Sequence, residues 1–558
     1  MEEIREILSK VVTKHFALQV RPELTIADEQ FGDYATNVAM QLAGQLKRSP
    51  RDIAEELVPL LFEALTPDVQ EVTVAGPGFI NIRLSDRLVL DQALGAPVVK
   101  PILYEGKTVV SEYSDPNPFK VLHAGHLYTS VVGDAISNLV EVAGGTVHRV
   151  NFGGDVGLHV AKTMWAILQK LGGENPEKLQ QIAPDQHAEW MAKCYVAGTQ
   201  AYEENETAKA EIIALNKRVY QLHNEEDYDT PFAQIYWTCR QWSYDYFDEF
   251  YARIGTKFEK YYPESQTASL GLATVKEQLA KGVYEESDGA VVFKGEAHDL
   301  HTRVFINSGG LPTYEAKDVG LIIRKWQDYH YDVSIYITGN EQEQYLAVVM
   351  KSIEQFAPDL TAGVKHLTHG LVKLQGGVKM SSRKGNFLRA IDVLKAAAEA
   401  NKQTTGRDDE QAVLGAVKYA FLKQRIGADI IYNPAESVSL EGNSGPYLQY
   451  AHARARSILA KAAPGRMAGD EGFEPGERAL ARKISDYPEV LQKAVQELMP
   501  HHVCTYLYEL AQAFNRFYEH NRVVGSDRQA TRTQLVALYA DVLKDGLTIL
   551  GITAPEKM

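Results

Sequence analysis

Two short segments of this chain carry the residue types and spacings best suited to chemistry: His123-Ala124-Gly125-His126, and Lys379-Met380-Ser381-Ser382-Arg383-Lys384. The first follows a strand-like run at 109–114 and opens a helix-like run from about His126. Free N–H groups and the dipole at a helix N-terminus attract phosphate, and imidazoles at i and i+3 can face one triphosphate. Gly125 has no side chain, so a flat base could approach the backbone there. Taken alone, the segment also fits a metal-ligand pair or two surface histidines. The second segment follows Gln375-Gly376-Gly377, a turn-forming stretch. Its three cations suit a pyrophosphate whose charge grows in a transition state, and taken alone they fit a solvated basic turn at least as well.

The elements around these segments differ in texture along the chain. The 558 residues suggest about three domains. Residues 1–100 mix helical stretches with two alternating runs at 71–83, separated by the turn Gly76-Pro77-Gly78, and Pro97 and Pro101 bracket a linker. Residues 101–405 alternate strand and helix: 109–114, then a helix, then 147–152, and later Ile335-Tyr336-Ile337-Thr338-Gly339. That order predicts a parallel sheet, interrupted by a helical insertion over about 165–300 that is rich in Tyr and Trp. Residues 406–558 read as helix almost throughout, with amphipathic runs beginning near Ala416 and spanning Leu507 to Tyr518, which predicts an all-α bundle. The fold class is therefore α/β, with a small α+β N-terminal domain and a helical C-terminal one.

Composition excludes little. The chain has 45% hydrophobic and 23% charged residues, as ordinary globular proteins do. Its formal net charge of −15 counts against a nucleic-acid partner taken alone, but binding depends on local basic patches. The three cysteines, Cys194, Cys239 and Cys504, are far apart, so neither a disulfide framework nor a structural zinc is expected. The acidic, mixed opening is unlike a secretory signal, and no apolar run reaches about 18 residues. A cytoplasmic protein with no membrane segment is the expectation.

Together, and in this order, the two segments resemble the HIGH and KMSKS signatures of class I aminoacyl-tRNA synthetases. Their neighbours are similar to one family of that class, the arginyl-tRNA synthetases. Glu112-Tyr113-Ser114-Asp115-Pro116-Asn117-Pro118-Phe119-Lys120 resembles the family's Ser-Ser-Pro-Asn lead into HIGH, and 150–157 resembles its Asn-Tyr-x-Gly-Asp-x-Gly stretch. Residues 32–39 are similar to the start of its N-terminal domain, 440–450 to its C-terminal domain, and 551–558 to its terminus. The likeness is weakest in the helical insertion. Three positions depart from the pattern: Asp115 for the second Ser, Tyr128 for the usual Arg after HIGH-Leu, and Ser382 for the second loop lysine. Lys120, before the HIGH segment, stands where a lysine is thought to compensate for the last change.

The resemblance implies a Rossmann-type catalytic domain with a helical insertion and an anticodon-binding bundle. It implies ATP with magnesium, L-arginine and tRNA(Arg) as ligands, with a monomer expected. A guanidinium presents five donors in a planar fork, so its pocket should offer carboxylates and an aromatic face. By resemblance, Tyr314 and Asp318, four apart on one helix face, hold the guanidinium. Glu112 and Gln342 hold the α-amino end, with Asn117 nearby, and Glu315 is a rival carboxylate. His123, His126, Lys120 and Lys379 are the catalytic candidates. ATP contacts fall to His123, Gly125, His126, Gly339, Lys379, Met380 and Ser381. Tyr447, Tyr450, Arg454 and Arg456 mix rings and cations suited to unstacked bases, and a core aromatic patch with solvated charges fits them as well. A synthetase-like paralogue that binds arginine or RNA without catalysis is the alternative. Intact His123, His126 and Lys379 speak against it.

Overall fold

The computed structural model describes residues 2–27, 29–375, 388–462 and 472–558. The N-terminal region holds α1 (Glu2–Phe16), β1 (Leu24–Ile26), β2 (Tyr34–Thr36), α2 (Val38–Leu46), α3 (Pro50–Leu65), β3 (Val69–Ala75), β4 (Phe79–Leu84) and α4 (Asp86–Gly95). The runs on either side of Gly76-Pro77-Gly78 form an antiparallel hairpin, β3–β4, in a sheet of order β1-β2-β4-β3. Leu57, Leu61, Ile80 and Ile82 are fully buried in its core, which lies between the sheet and the helices.

The central region begins with β5 (Thr108–Glu112), α5 (Ala124–Val142), β6 (Thr146–Gly153) and α6 (Leu158–Leu171). Val109 to Glu112 are buried in succession, so β5 is covered on both faces, as strands of parallel sheets are. Helices α7 (His187–Glu204), α8 (Glu206–Asn224) and α9 (Pro231–Ile254) follow, then β7 (Lys260–Pro263) and α10 (Glu264–Ala280). The helical insertion expected to reach about residue 300 thus gives way near 255, because β7 pairs in parallel with β6 and returns the chain to the sheet. Next come β8 (Glu285–Ser287), β9 (Ala290–Phe293) and β10 (Arg303–Ile306), a small antiparallel sheet, and then α11 (Tyr314–Tyr329), β11 (Val333–Gly339), α12 (Glu343–Glu354), α13 (Asp359–Ala362) and β12 (Val364–His369).

All neighbours in the main sheet are parallel, in the order β12-β11-β5-β6-β7. Numbered along the chain this is 5-4-1-2-3, the order of a Rossmann-type sheet. The strand order reverses between β5 and β11, and in such sheets ligands bind beyond the strand ends at that switch point. The loops after Glu112 and after Gly339 therefore have to build any ligand site.

The chain continues through β13 (Val372–Leu374), α14 (Ala390–Thr405), α15 (Glu410–Leu422), β14 (Ile430–Tyr432) and α16 (Pro434–Ser437). Strand β14 lies within the stretch expected to be all helix, and it pairs in parallel with β13. Three residues are too few to register as a strand against helical neighbours. The bundle proper is α17 (Gly445–Leu459), α18 (Pro475–Ser485), α19 (Tyr487–Glu497), α20 (His501–His520) and α21 (Gln529–Ile549). The C-terminal tail folds back over it. Gln449 Nε2 donates to Thr553 O at 3.0 Å, and Lys418 Nζ donates to Gly551 O at 2.7 Å. Among the described residues, no helix is long and apolar enough to cross a membrane.

Candidate active site

A cleft of about 860 Å³ opens at the β5/β11 switch point, within the size range of small-ligand sites. His123, Gly125 and His126 line one part of it, and Glu112, Asn117, Tyr314, Asp318, Gly339 and Gln342 line the rest. Residues from three separate stretches of sequence thus share one wall system, held by β5, α5, α11 and β11.

His123 is the N-cap of α5 and replaces the usual Ser, Thr or Asp. Its Nδ1 accepts from Gly125 N at 3.1 Å and from His126 N at 3.3 Å, while His126 Nδ1 accepts from His123 N at 3.1 Å. Ala124 N donates to Leu388 O at 2.7 Å. The free backbone N–H groups expected to meet a phosphate are therefore already occupied. With both Nδ1 atoms accepting, the ring protons sit on Nε2. A Cβ on Gly125 would stand 2.8 Å from the His123 ring, so only glycine fits between cap and helix. The His123 ring edge opens to the cleft, but protein encloses its other sides. This burial, with Lys120 and His369 nearby, pushes its pKa down to about 4. Burial and His123 hold His126 well below the usual value too. Both are neutral donors at pH 7.

Lys120 is outside the cleft lining and packs over the Tyr195 ring, Nζ 4.9 Å from its centroid. Burial lowers its pKa to about 8, with Glu264 working the other way. Lys379, Met380 and Ser381 lie outside the described residues. The segment that carries them leaves from β13 and returns at Leu388, and Val372, Lys373 and Leu388 all line the cleft. The return is pinned to the histidine turn, since Ala390 N donates to Leu122 O at 2.9 Å.

The cleft is also rich in acids. Glu112, Asp115, Glu264, Glu315, Asp318 and Glu341 line it, against the cations Arg303 and Lys373. Three of the acids have a cation of their own. Glu112 pairs with Lys325, which is fully buried; Glu264 pairs with Lys317 at 2.7 Å; Glu315 pairs with Arg303 at 3.2 Å. Asp318 instead accepts a hydrogen bond from the Tyr345 hydroxyl. Burial lifts its pKa to about 8 despite that bond, with Glu112 and Glu264 adding repulsion. Sequence reasoning gave Glu112 to the ligand's amino group, but its partner in the structure is Lys325, 213 positions away. It missed Lys325 and Tyr345. Lys325 stands seven residues after Asp318, two turns along the same helix face, and that spacing was the available signal.

The loop between β5 and α5 is held in unusual conformations. Ser114, Asp115 and Phe119 have φ of 74°, 49° and 66°, which L-residues adopt rarely. Asn117 Oδ1 accepts from Gly154 N at 2.8 Å, and a Cβ on Gly154 would sit 2.6 Å from that oxygen. Beside it, fully buried Asp155 accepts from Ser265 N, Ser265 Oγ and Arg240 Nε at 2.8–2.9 Å, tying α9 and α10 to the end of β6. Tyr128 faces the core rather than the cleft, edge-on to His369 and Phe421.

The four residues expected to meet nucleic acid divide between faces of α17. Tyr447 and Arg454 turn toward α20: the Tyr447 hydroxyl accepts from Asn515, and Arg454 lies 4.8 Å from the Tyr518 ring centroid. Tyr450 is 45% exposed, a ring open to a partner. Arg456 pairs with Glu556 of the tail at 2.8 Å and so stands apart from the others.

Comparison with known proteins covers the chain from end to end. Family models match residues 2–84 (arginyl tRNA synthetase N terminal domain), 90–434 (tRNA synthetases class I (R), catalytic domain) and 448–558 (DALR anticodon binding domain). An arginine–tRNA ligase of Phocaeicola vulgatus is 30% identical, with 96% of this chain and 95% of that protein aligned. One of Flavobacterium psychrophilum is 30% identical over 92% and 90%. Among solved structures, the Thermus thermophilus arginyl-tRNA synthetase superposes with a TM-score of 0.79 at 25% identity, covering 100% of both chains.

Proposed function

The chain belongs to the arginyl-tRNA synthetase family of class I aminoacyl-tRNA synthetases, and on that premise we propose how its cleft joins L-arginine to tRNA(Arg) using ATP. The reading rests above all on the cleft's lining, which combines neutral imidazoles with carboxylates lacking a cation.

The ATP phosphates lie against His123 and His126, whose Nε2–H groups donate to them without the desolvation cost of a buried cation. Gly125 and Gly339 flank the nucleotide. Lys120 and Lys379 neutralise the pyrophosphate charge, with Met380 and Ser381 of the same motif serving the nucleotide. Asp318 and Tyr314 receive the guanidinium, with Tyr345 orienting the carboxylate; Asn117 and Gln342 lie toward the α-amino end, with the Glu112–Lys325 pair behind them. The arginine carboxylate attacks the α-phosphorus, pyrophosphate leaves, and the terminal ribose hydroxyl of the tRNA then displaces AMP from the adenylate. Positioning and charge stabilisation carry both steps, and no side chain becomes a nucleophile. Magnesium enters with ATP as part of the substrate; among the described residues no cluster of three ligands forms a cage for it.

The tRNA extends over the bundle, where exposed Tyr450 offers a ring to an unstacked base, and reaches the N-terminal domain. One chain holds the whole cleft, which supports action as a monomer, and a cytoplasmic place fits its partners. Aminoacylation of total tRNA with each labelled amino acid in turn tests the reading. Charging with arginine alone is expected, and charging with another amino acid, or with none, defeats it.

A further inference from the structure

Three histidines among the described residues line the cleft, and the reading above uses two of them. The third, His369, is the last residue of β12 and is 6% exposed. Its ring stands edge-on to Tyr128, and its Nε2 lies 2.8 Å from the Thr129 hydroxyl oxygen. Its Nδ1 lies 2.8 Å from Gly370 O. The same hydroxyl lies 2.7 Å from Gly125 O, the carbonyl between His123 and His126. One atom, Thr129 Oγ1, thus joins the end of β12 to the turn that carries both histidines.

These contacts limit where protons can go. A carbonyl only accepts, so Nδ1 carries a hydrogen and donates it to Gly370 O. The hydroxyl has a single hydrogen and two acceptors competing for it. With Nε2 bare, the hydrogen is drawn to His369, and Gly125 O loses it. With Nε2 protonated, the ring donates to Oγ1 and the hydroxyl hydrogen turns to Gly125 O. Only the second arrangement satisfies all three contacts at once, and in it His369 is an imidazolium. His123 and His126 cannot follow, because backbone N–H groups already occupy the Nδ1 of each.

Charge in the surroundings decides between the two arrangements. Burial holds His369 below the usual imidazole range, with Gly370 O and Glu341, in the turn after β11, opposing. On α5, His123 and His126 are neutral. Beyond Gly370, Lys373 and Asp429 pair with each other, and His366 of the same strand bonds to Thr338. The ring is therefore neutral at pH 7. A triphosphate brings several negative charges to the histidine turn, and negative charge favours an imidazolium.

We propose that His369 is a positioning residue for ATP: it takes a proton from solvent as the phosphates bind, turns the Thr129 hydroxyl onto the Gly125 carbonyl, and so braces the two-histidine turn. The inference rests on the reading of that turn as the phosphate site.

The test is calorimetric titration of the full-length enzyme with ATP and excess magnesium, which keeps the nucleotide itself ionised, in buffers of low and high ionisation enthalpy at pH 7. Wild type should take up protons on binding. ATP should bind about fivefold more tightly at pH 6.5 than at pH 8, within the roughly tenfold per pH unit that one linked proton allows. His369→Gln keeps a polar side chain that cannot titrate. It should show no uptake and lose that pH dependence, while the arginine KM stays as in the parent at each pH. His369→Phe serves as a second variant should the first fail to fold, with the same result expected. Thr129→Val leaves the ring without its acceptor and should lose the uptake as well. A wild-type heat independent of buffer, or an uptake that survives in either His369 variant, would place the proton elsewhere and overturn the proposal. Uptake retained by Thr129→Val would also overturn it, since the ring would then act by charge alone. A wild-type enzyme that binds no ATP would instead bring down the reading of the turn as the phosphate site.

Discussion

His123 and His126 stack with ring centroids 3.6 Å apart, and the Nδ1 of each accepts a backbone N–H of the other residue. The pair therefore caps its own helix through Nδ1 and carries its ring protons on Nε2, both rings neutral because burial holds their pKa values low. Capping and phosphate contact are separable. His123→Asn keeps a side-chain oxygen for the cap and should unfold in urea like the parent, whereas His123→Ala should lose about 1 kcal/mol. Both lose the Nε2–H and should slow adenylate formation by about 100-fold or more. A near-parental rate in either variant would remove the imidazoles from phosphate binding. Because His123 titrates near pH 4, wild-type rates between pH 6 and 8 should show no inflection from this pair.

Lys120 should matter to the phosphate step and not to arginine. Ser382 leaves the loop motif one lysine short, and Lys120 stands close enough to His123 to depress its pKa. Rapid-quench measurement on Lys120→Ala, with tRNA present, should show adenylate formation slowed about 100-fold and an arginine KM within about twofold of wild type. If the rate is unchanged, the role passes to a cation of the segment 376–387.

Much of this architecture was legible before the structure, for identifiable reasons. Runs such as Val109 to Ser111 and Ile335 to Ile337 are buried on both faces and have no helical period, so their strand character survives in sequence. The short strands β7 and β14 did not: Lys260-Tyr261-Tyr262-Pro263 and Ile430-Ile431-Tyr432 become strands because a neighbouring strand supplies their partners. Motif spacing located the cleft residues, since a local turn such as 123–126 carries its geometry with it. It could not say which acids in the cleft are paired with a cation. The capture of Glu112 by Lys325 and the hold of Phe152 on Asp115 depend on contacts between distant segments. The division of Tyr447 and Arg454 from Arg456 was available from helical periodicity, as 447 and 454 are seven apart and 456 is off that face.

Arg478 of α18 fastens the N-terminal region to the bundle. Its two terminal nitrogens donate to Asp33 at 2.8 and 3.0 Å, and its Nε donates to Asp86 at 3.0 Å. Burial acts to raise the Asp33 pKa, but Arg478 holds it below the usual value. The pair's stabilisation is therefore present above the unfolded carboxylate pKa and is lost as the pH falls through the lower folded value. Removing one partner of a buried pair costs about 3–5 kcal/mol. Arg478→Met should accordingly raise hydrogen exchange across residues 2–84 and weaken tRNA binding, with arginine and ATP KM values held. Unchanged exchange in that region would mean that other contacts hold the two parts together.

With the guanidinium placed on Asp318 as proposed, arginine binding should be a proton-linked event. Its pKa is lifted to about 8, first by burial and then by the charges of Glu112 and Glu264, with the Tyr345 hydroxyl and Lys325 opposing. At pH 7 the free enzyme thus holds a proton there. A guanidinium placed against this carboxyl favours the ionised form, so binding should expel that proton. The sign follows for affinity: arginine should bind more tightly as pH rises from about 6 to about 8, and level off above. The sign for stability is the reverse. The folded pKa lies above the ordinary carboxylate value of 3.8, so the protonated carboxyl stabilises the fold at low pH, and that stabilisation is gone once pH has passed about 8. Arginine should therefore protect the enzyme against unfolding more at pH 8 than at pH 6. Asp318→Asn keeps the shape and removes the charge. It should weaken arginine by about 3–5 kcal/mol, or roughly two to four powers of ten, and leave ATP binding alone. It should also abolish the Asp318 share of proton release. Calorimetry at pH 7 in buffers of low and high ionisation enthalpy reads that release directly. A heat of binding independent of buffer in the wild type, or an arginine KM in the variant within about twofold of the parent, would show that the guanidinium lies elsewhere in the cleft.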